Sequence, residues 1–352
     1  MNDISIGDLI SQFGFPKPTP TPEAADVTEW FKEFQDWLAD DYEPLVHKDR
    51  KPGLHASGLG KVCGRRSLVI SAYGASSVPN TAGNYFTYDM GHALHYWWQE
   101  RYLGPKQELW GDWMCTACAC LHCETVLDKI VQALNLAEKK KIWNACGHCR
   151  GTGRKVTRGL MPMNCECGVP WQDAVRYLEL PVVNKELDYV GHCDGILVHK
   201  PRRRLFEFKT MSPSEYEKLE KRSSYYKDGP HPDHVVQAHA YMGPLGLEEA
   251  LIVYMNKGSQ AKWTVDRCGQ FVAGEPKVIP FLIQWDQELW DGIVERIHDY
   301  HKVMEVLNKR KAAGERVSRE DIAKTSRVCD TMKCRMAQRC PVSRECFSLD
   351  QV

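Results

Sequence analysis

Glu186-Leu-Asp-Tyr-Val-Gly-His-Cys-Asp194-Gly-Ile-Leu-Val-His199 runs, through Lys200-Pro-Arg-Arg, into Arg204-Leu-Phe-Glu207-Phe-Lys209-Thr210. Short apolar and β-branched runs on either side of a Pro- and Arg-rich turn predict two strands, over 186–199 and 204–210. Their apolar density fits buried strands better than a half-exposed sheet. Side chains alternate along a strand, so Glu207 and Lys209 point to one face. Asp194, on the preceding strand, is expected to reach the same place. The hairpin thus gathers two carboxylates and one ammonium.

Outward from this hairpin the pattern alternates between helix and strand. Residues 233–243 and 286–312 carry helical periodicity, the second with Leu289, Ile293, Ile297, Tyr300, Met304 and Leu307 along one side. Residues 249–255, 262–266 and 278–284 predict strands. Upstream, an aromatic-rich helix is expected from Asp89 to Tyr102 and another over residues 27–40, behind a Pro-Lys-Pro-Thr-Pro-Thr-Pro leader. This order predicts an α/β fold with a mixed sheet flanked by helices. We expect a leader and helix over 1–50, a core made of 51–109 and 179–352, and an inserted module over 110–178.

Two carboxylates and a lysine on one face suit hydrolysis of a phosphodiester. Hard oxygens hold Mg²⁺ or Mn²⁺, and such an ion polarises a phosphate and acidifies water. The candidate metal ligands are Asp194, Glu207 and an imidazole from Gly91-His-Ala-Leu-His95, where His95 is favoured over His92 and Glu100 also competes. Gln237 and Tyr241, at i and i+4, share a helix face and can bond the lysine or a phosphate, or stack on a base.

Gly-x-x-x-His95, Gly191-His-Cys-Asp194-Gly, Glu207-Phe-Lys209-Thr and Gln237-x-x-x-Tyr241 occur in the order seen in the PD-(D/E)xK superfamily of nucleases, and resemble its RecB-type exonuclease branch. The resemblance covers roughly 55–105 and 180–346. It implies a restriction-endonuclease-like core, metal binding by His95, Asp194 and Glu207, catalysis by Lys209, and support from Gln237 and Tyr241. The implied substrate is DNA, at ends or as single strands, in replication, recombination or phage DNA processing, with a replication or recombination protein as a further partner. The other reading from a different class is a non-catalytic DNA-binding or assembly protein that keeps the fold.

The chain has 15 cysteines, eight of them between Cys115 and Cys167 and four between Cys329 and Cys346. Grouping of this kind indicates metal rather than disulfides. Cys63 with the cluster at Cys329, Cys334, Cys340-Pro and Cys346 resembles the iron–sulfur RecB-like nucleases, the AddB-type helicase-nucleases and the CRISPR-adaptation exonucleases. That implies a [4Fe–4S] cluster on Cys63, Cys334, Cys340 and Cys346, although five residues rather than two separate Cys334 from Cys340, and Cys329 can replace Cys334. A single zinc on the four C-terminal cysteines, with Cys63 left out, is the rival. In the 115–167 block, Cys115-x2-Cys118 and Cys146-Gly-His-Cys149 have zinc-ligand spacing. Cys146–Gly153 resembles the zinc unit of DnaJ-type chaperones. One zinc on Cys115, Cys118, Cys146 and Cys149 is the expected minimum.

Lys plus Arg and Asp plus Glu both number 46, so the total charge neither supports nor excludes a nucleic-acid partner. The one compact basic run, Lys200 to Arg204, closes the hairpin and can touch phosphate or simply face water. No apolar run reaches membrane-spanning length and no secretory signal opens the chain, so a cytoplasmic location is expected. There is no Gly-x4-Gly-Lys-Ser/Thr segment for ATP.

Overall fold

The structure is a computed structural model. It describes residues 53–73, 82–119, 154–163, most of 165–168, 174–199, 201–258 apart from 224, 225 and 228, then 264–265, 271–272, 278–325 and part of 328–349. The helix expected over 27–40, and Cys146, Cys149 and Cys334, lie outside these residues. Contacts divide the chain into one unit of Met1–Lys48 with Val78–Asp89 and another of Asp49–Ser77 with Met90–Val352. The first is described only over a few helical turns, and the second carries the sheets.

In chain order the elements begin with strand β1 (Leu54–His55), a 3-10 turn over Ala56–Lys61 and helix α1 (Gly64–Tyr73). Helix α2 (Ala82–Tyr96) continues as a π-helical turn over Trp97–Leu103. Strands β2 (Leu109–Ala119), β3 (Arg154–Leu160), β4 (Val175–Leu178), β5 (Leu180–Asn184), β6 (Tyr189–Cys193), β7 (Gly195–His199) and β8 (Arg202–Met211) follow. Helices α3 (Pro213–Glu220) and α4 (Pro232–Leu245) lead into strands β9 (Glu249–Asn256), β10 (Thr264–Val265), β11 (Phe271–Val272) and β12 (Val278–Gln284). Helices α5 (Gln287–Ala312), α6 (Arg319–Ala323) and α7 (Ser343–Ser348) complete the described chain.

The main sheet runs β12-β9-β8-β7-β2-β3, with β4 added beside β2. It is mixed: β8 and β9 are parallel, whereas β7–β8, β9–β12 and the pairs made by β2 are antiparallel. The parallel pair requires a crossover, supplied by α3 and α4. A smaller sheet, β1-β6-β5, joins it through the β6–β7 connection. The stretch read as an inserted module therefore contributes three strands, β2, β3 and β4, to the main sheet.

Local chemistry explains the helix limits. His231 caps α4 by accepting from the Asp233 N–H, Pro232 takes the first helical position, and Gly246, at φ +62°, ends it in the left-handed region. Asp286 caps α5, whose last turn carries Lys309, Arg310 and Lys311 against the negative end of the helix dipole. Strand β8 is buried on both faces, as its apolar run predicts. Leu205 packs with Ala250, Ile252, Ile293 and Ile297 in the core under α4 and α5, whereas Phe206 and Phe208 pack with Leu109, Trp113 and Val253 on the other side.

The continuous strand expected over 186–199 is two strands, broken at Asp194. Gly195 has φ +139°, and a Cβ there would lie 2.5 Å from the Tyr177 hydroxyl and 2.6 Å from Leu109 Cδ1. Only glycine makes this bend, which turns the chain from the small sheet into the main one. Gly195→Ala should destabilise the protein by about 2 kcal/mol or more through overpacking and backbone strain. Thermal denaturation checks this, and a melting temperature equal to the parent's would contradict it.

Candidate active site

The bend presents Asp194 to three elements at once. Its Oδ2 accepts the backbone N–H of Phe208 in β8 at 2.7 Å, and its Oδ1 lies 3.0 Å from Nδ1 of His95 in α2. Gln99, in the π-helical turn, donates from Nε2 to the Asp194 carbonyl at 3.1 Å. The ring of His95 stands edge-on to Phe208, with centroids 5.0 Å apart. On β8, Lys209 Nζ donates to Glu207 Oε2 at 2.6 Å, as expected for side chains two apart on one face. His95, Asp194, Glu207 and Lys209, drawn from helix α2, the β6–β7 bend and strand β8, thus meet in one charged cluster.

Burial sets the electrostatics. Glu207 is almost wholly enclosed, and burial, with Asp194's negative charge, pushes its carboxyl up to about 7 in spite of Lys209. Burial also works against the charged form of Asp194, but His95, Lys209 and the Phe208 N–H together hold it below the usual carboxylate value. Burial would lower His95, yet the Asp194 charge and hydrogen bond outweigh it and raise the imidazole. Lys209 is raised in the same way by Glu207 and Asp194. Glu207 Oε1 is buried and has no hydrogen-bond partner among the described residues. An enclosed carboxylate oxygen without a donor normally carries a penalty. Beside a second carboxylate and an imidazole, it is a hard oxygen of the kind that Mg²⁺ or Mn²⁺ takes, so the donor chemistry suits such an ion, although among the described residues only the four-cysteine group brings three or more ligand atoms within 4.8 Å of one another.

Gln237 and Tyr241 do share one face of α4. Gln237 Nε2 donates to the Tyr241 hydroxyl at 3.1 Å, and that hydroxyl donates to the His192 carbonyl at 2.8 Å. Gly191 permits the approach: a Cβ there would come within 2.6 Å of the tyrosine ring. The pair thus braces β6 two residues before Asp194, and Glu207 raises the Tyr241 phenol further after burial has done so. These hydrogen bonds run to each other and to the β6 backbone rather than to Lys209.

Two acidic residues near the site have distinct parts. Glu179, between β4 and β5, belongs to none of the sequence motifs; its charge raises both His95 and Lys209. Glu100, the acid that competes with His95 in the sequence, turns elsewhere. Its carboxylate accepts the Tyr177 N–H at 2.6 Å and Arg176 at 3.3 Å, and burial pushes it to about 7. The basic turn divides: Arg204 pairs with Glu249 at 2.6 Å, and Arg203 lies over the Trp110 ring.

Among the described residues, two groups of cysteines stand out. Cys115 and Cys118, at the end of β2, meet Cys165 and Cys167, with all four sulfurs within 4.8 Å of one another, a group that can hold a metal ion. Elsewhere Cys63 precedes α1, against which α6 and α7 pack, in a small core of Leu68, Val69, Ile322, Val342 and Cys346. Arg65 joins these elements by donating to the Thr325 and Cys346 carbonyls. Burial raises the Cys346 thiol, and Cys63 and Cys340 raise it further against the lowering effect of Arg65.

No protein-family model matches the chain, and no curated protein does. Among solved structures, an alkaline exonuclease from Laribacter hongkongensis is similar at 16% identity with a TM-score of 0.28, over 74% of this chain and 96% of that one. A phage-related exonuclease from Haemophilus somnus 129PT is similar at 12% identity with a TM-score of 0.29, over 76% of this chain and 98% of that one. Among the described residues no helix is long and apolar enough to cross a membrane.

Proposed function

We propose that this chain is a Mg²⁺- or Mn²⁺-dependent DNA nuclease that acts as an exonuclease on ends or single strands. The observation that carries the reading is the unpartnered, buried Oε1 of Glu207 beside Asp194 and His95, with Lys209 on the same strand face. His95, Asp194 and Glu207 would hold the ion, which supplies charge stabilisation to the phosphate and acidifies water. Lys209, kept protonated by the two carboxylates, orients the attacking water and offsets the charge that develops on the phosphate. Tyr241 and Gln237 hold the strand that delivers Asp194. The order of the motifs, by its resemblance to RecB-type exonucleases, supports DNA as the substrate.

The same resemblance assigns a [4Fe–4S] cluster to Cys63, Cys334, Cys340 and Cys346. The packing of α1 against α7, and the effect of Cys63 and Cys340 on the Cys346 thiol, fit a site that joins distant parts of the chain. When bound, the cluster supplies a cross-link and no step of hydrolysis.

End-labelled single- and double-stranded DNA, incubated with the protein and Mg²⁺, Mn²⁺ or EDTA, tests the activity. Stepwise shortening from ends with either ion, abolished by EDTA, is expected. Intact DNA under all conditions would overturn the proposal in favour of a DNA-binding protein that keeps the fold.

A further inference from the structure

We propose that Cys115, Cys118, Cys165 and Cys167 hold one zinc ion that clamps β2 to the segment entering β4, and so positions the helix that bears His95. The metal part stands on the sulfur geometry alone. The positioning part rests on the proposed active site.

The sulfur spacing identifies the kind of site. Cys118 and Cys165 sulfurs are 3.3 Å apart, Cys165 and Cys115 3.5 Å, and Cys115 and Cys167 3.7 Å. A tetrahedron with metal–sulfur bonds of about 2.3 Å has edges of about 3.8 Å. Four sulfurs this close surround a single ion and leave no room for an iron–sulfur cube between them. They are also well beyond the ~2.05 Å of a disulfide bond. The backbone is arranged to suit: the Cys118 N–H donates to Cys115 Sγ at 3.3 Å, and Gly168, at φ +74°, turns the chain so that its N–H bonds the Cys165 carbonyl. Cys115 is buried, whereas Cys167 is exposed and gives an ion its way in. Four thiolates select a borderline or soft ion, and zinc is the one that serves closed structural sites.

The clamp leads directly toward the catalytic cluster. Cys115 lies opposite Val175 in the β2–β4 pairing. Two residues along β4, the Tyr177 N–H is held by Glu100. Glu100 follows Gln99, which donates to the Asp194 carbonyl, and His95 sits one turn earlier on Asp194 itself. Fixing β4 therefore fixes the π-helical turn and, through it, the imidazole.

Metal analysis of the full-length protein tests the site. Cys118→Ser and Cys165→Ser should each lower bound zinc by one equivalent per chain relative to the parent, independently of what Cys146→Ser and Cys149→Ser remove. Cobalt in place of zinc should give the intense thiolate charge-transfer bands of a four-sulfur tetrahedral site. Unchanged zinc in Cys118→Ser and Cys165→Ser, iron at this site, or recovery of the four thiols as disulfides from the parent would each overturn the assignment. If a variant fails to fold by circular dichroism, the cobalt spectrum of the parent decides: bands of mixed nitrogen and sulfur ligation overturn it. For positioning, Mn²⁺ affinity measured by calorimetry should fall at least several-fold in folded Cys165→Ser, and an unchanged affinity would overturn that part. A parent that binds zinc but cuts no DNA would count against the nuclease reading and leave the zinc site standing.

Discussion

Asp194→Asn and Lys209→Ala should each reduce DNA cleavage by about 10³-fold or more, the scale expected when a metal ligand or a charge-stabilising group is lost. Asp194→Asn is the sharper of the two because it keeps the shape of the bend. An asparagine oxygen can still accept the Phe208 N–H, and Gln99 still reaches the backbone carbonyl. What disappears is the negative charge that holds His95 and would bind the ion. His95 then loses the partner that raises it and falls toward the neutral form. Lys209→Ala works from the other side. Glu207 loses its 2.6 Å ion pair while it stays buried, so its carboxyl rises further and retains a proton that a divalent ion must displace. Circular dichroism and thermal melting should show both variants folded. Cleavage by Asp194→Asn at the parent's rate would end the assignment of the site.

Divalent-ion affinity should weaken as pH falls through about 7, approaching tenfold for each pH unit below it. The sign follows from which form binds. The ion takes the carboxylate of Glu207, and burial has moved that group from the ordinary 4.5 to about 7, so below this point a proton occupies the oxygen first. His95 adds to the trend. Its raised imidazole is a cation beside Asp194, and a cation cannot ligate another. Binding therefore releases one proton, and two where His95 is also charged. Calorimetry of Mn²⁺ binding in two buffers of different ionisation enthalpy measures both the pH dependence and the protons released. Affinity that stays flat from pH 8 to pH 6, with no proton release, would contradict the role given to Glu207. For stability the sign is the reverse of the usual carboxylate case. A raised carboxyl costs stability above the unfolded value of about 4.5 and is relieved as pH falls, so ion binding near neutrality should raise the melting temperature.

Much of this arrangement is legible in the residues themselves. Strand β12 and helix α5 follow the apolar periodicity of 278–284 and 286–312 almost to the residue. Glu207 and Lys209 share a face because strands alternate, and Gln237 meets Tyr241 because residues four apart on a helix lie one above the other. Other features depend on contacts that no local pattern contains. The break at Asp194 interrupts a run whose alternation continues through it, and Gly195 alone hints at the bend. Glu179 is one acid among 46 and matters only because two sheets converge on it. The x2 spacing of Cys146 and Cys149 is a stronger local signal than Cys165-x-Cys167, yet the latter pair meets Cys115 and Cys118 because β3 and β4 both lie against β2. The π-helical turn that aims Gln99 at Asp194 likewise has no signature in Trp97–Leu103.

The pairing of His95 with Asp194 joins residues 99 positions apart, and β8 lies between β7 and a β9 that is made later. A chain emerging from the ribosome therefore holds its lysine and acids in an unassembled state until residues near 256 have been synthesised and docked. Under the proposed activity, a growing polypeptide short of that point does not cut nucleic acid nearby.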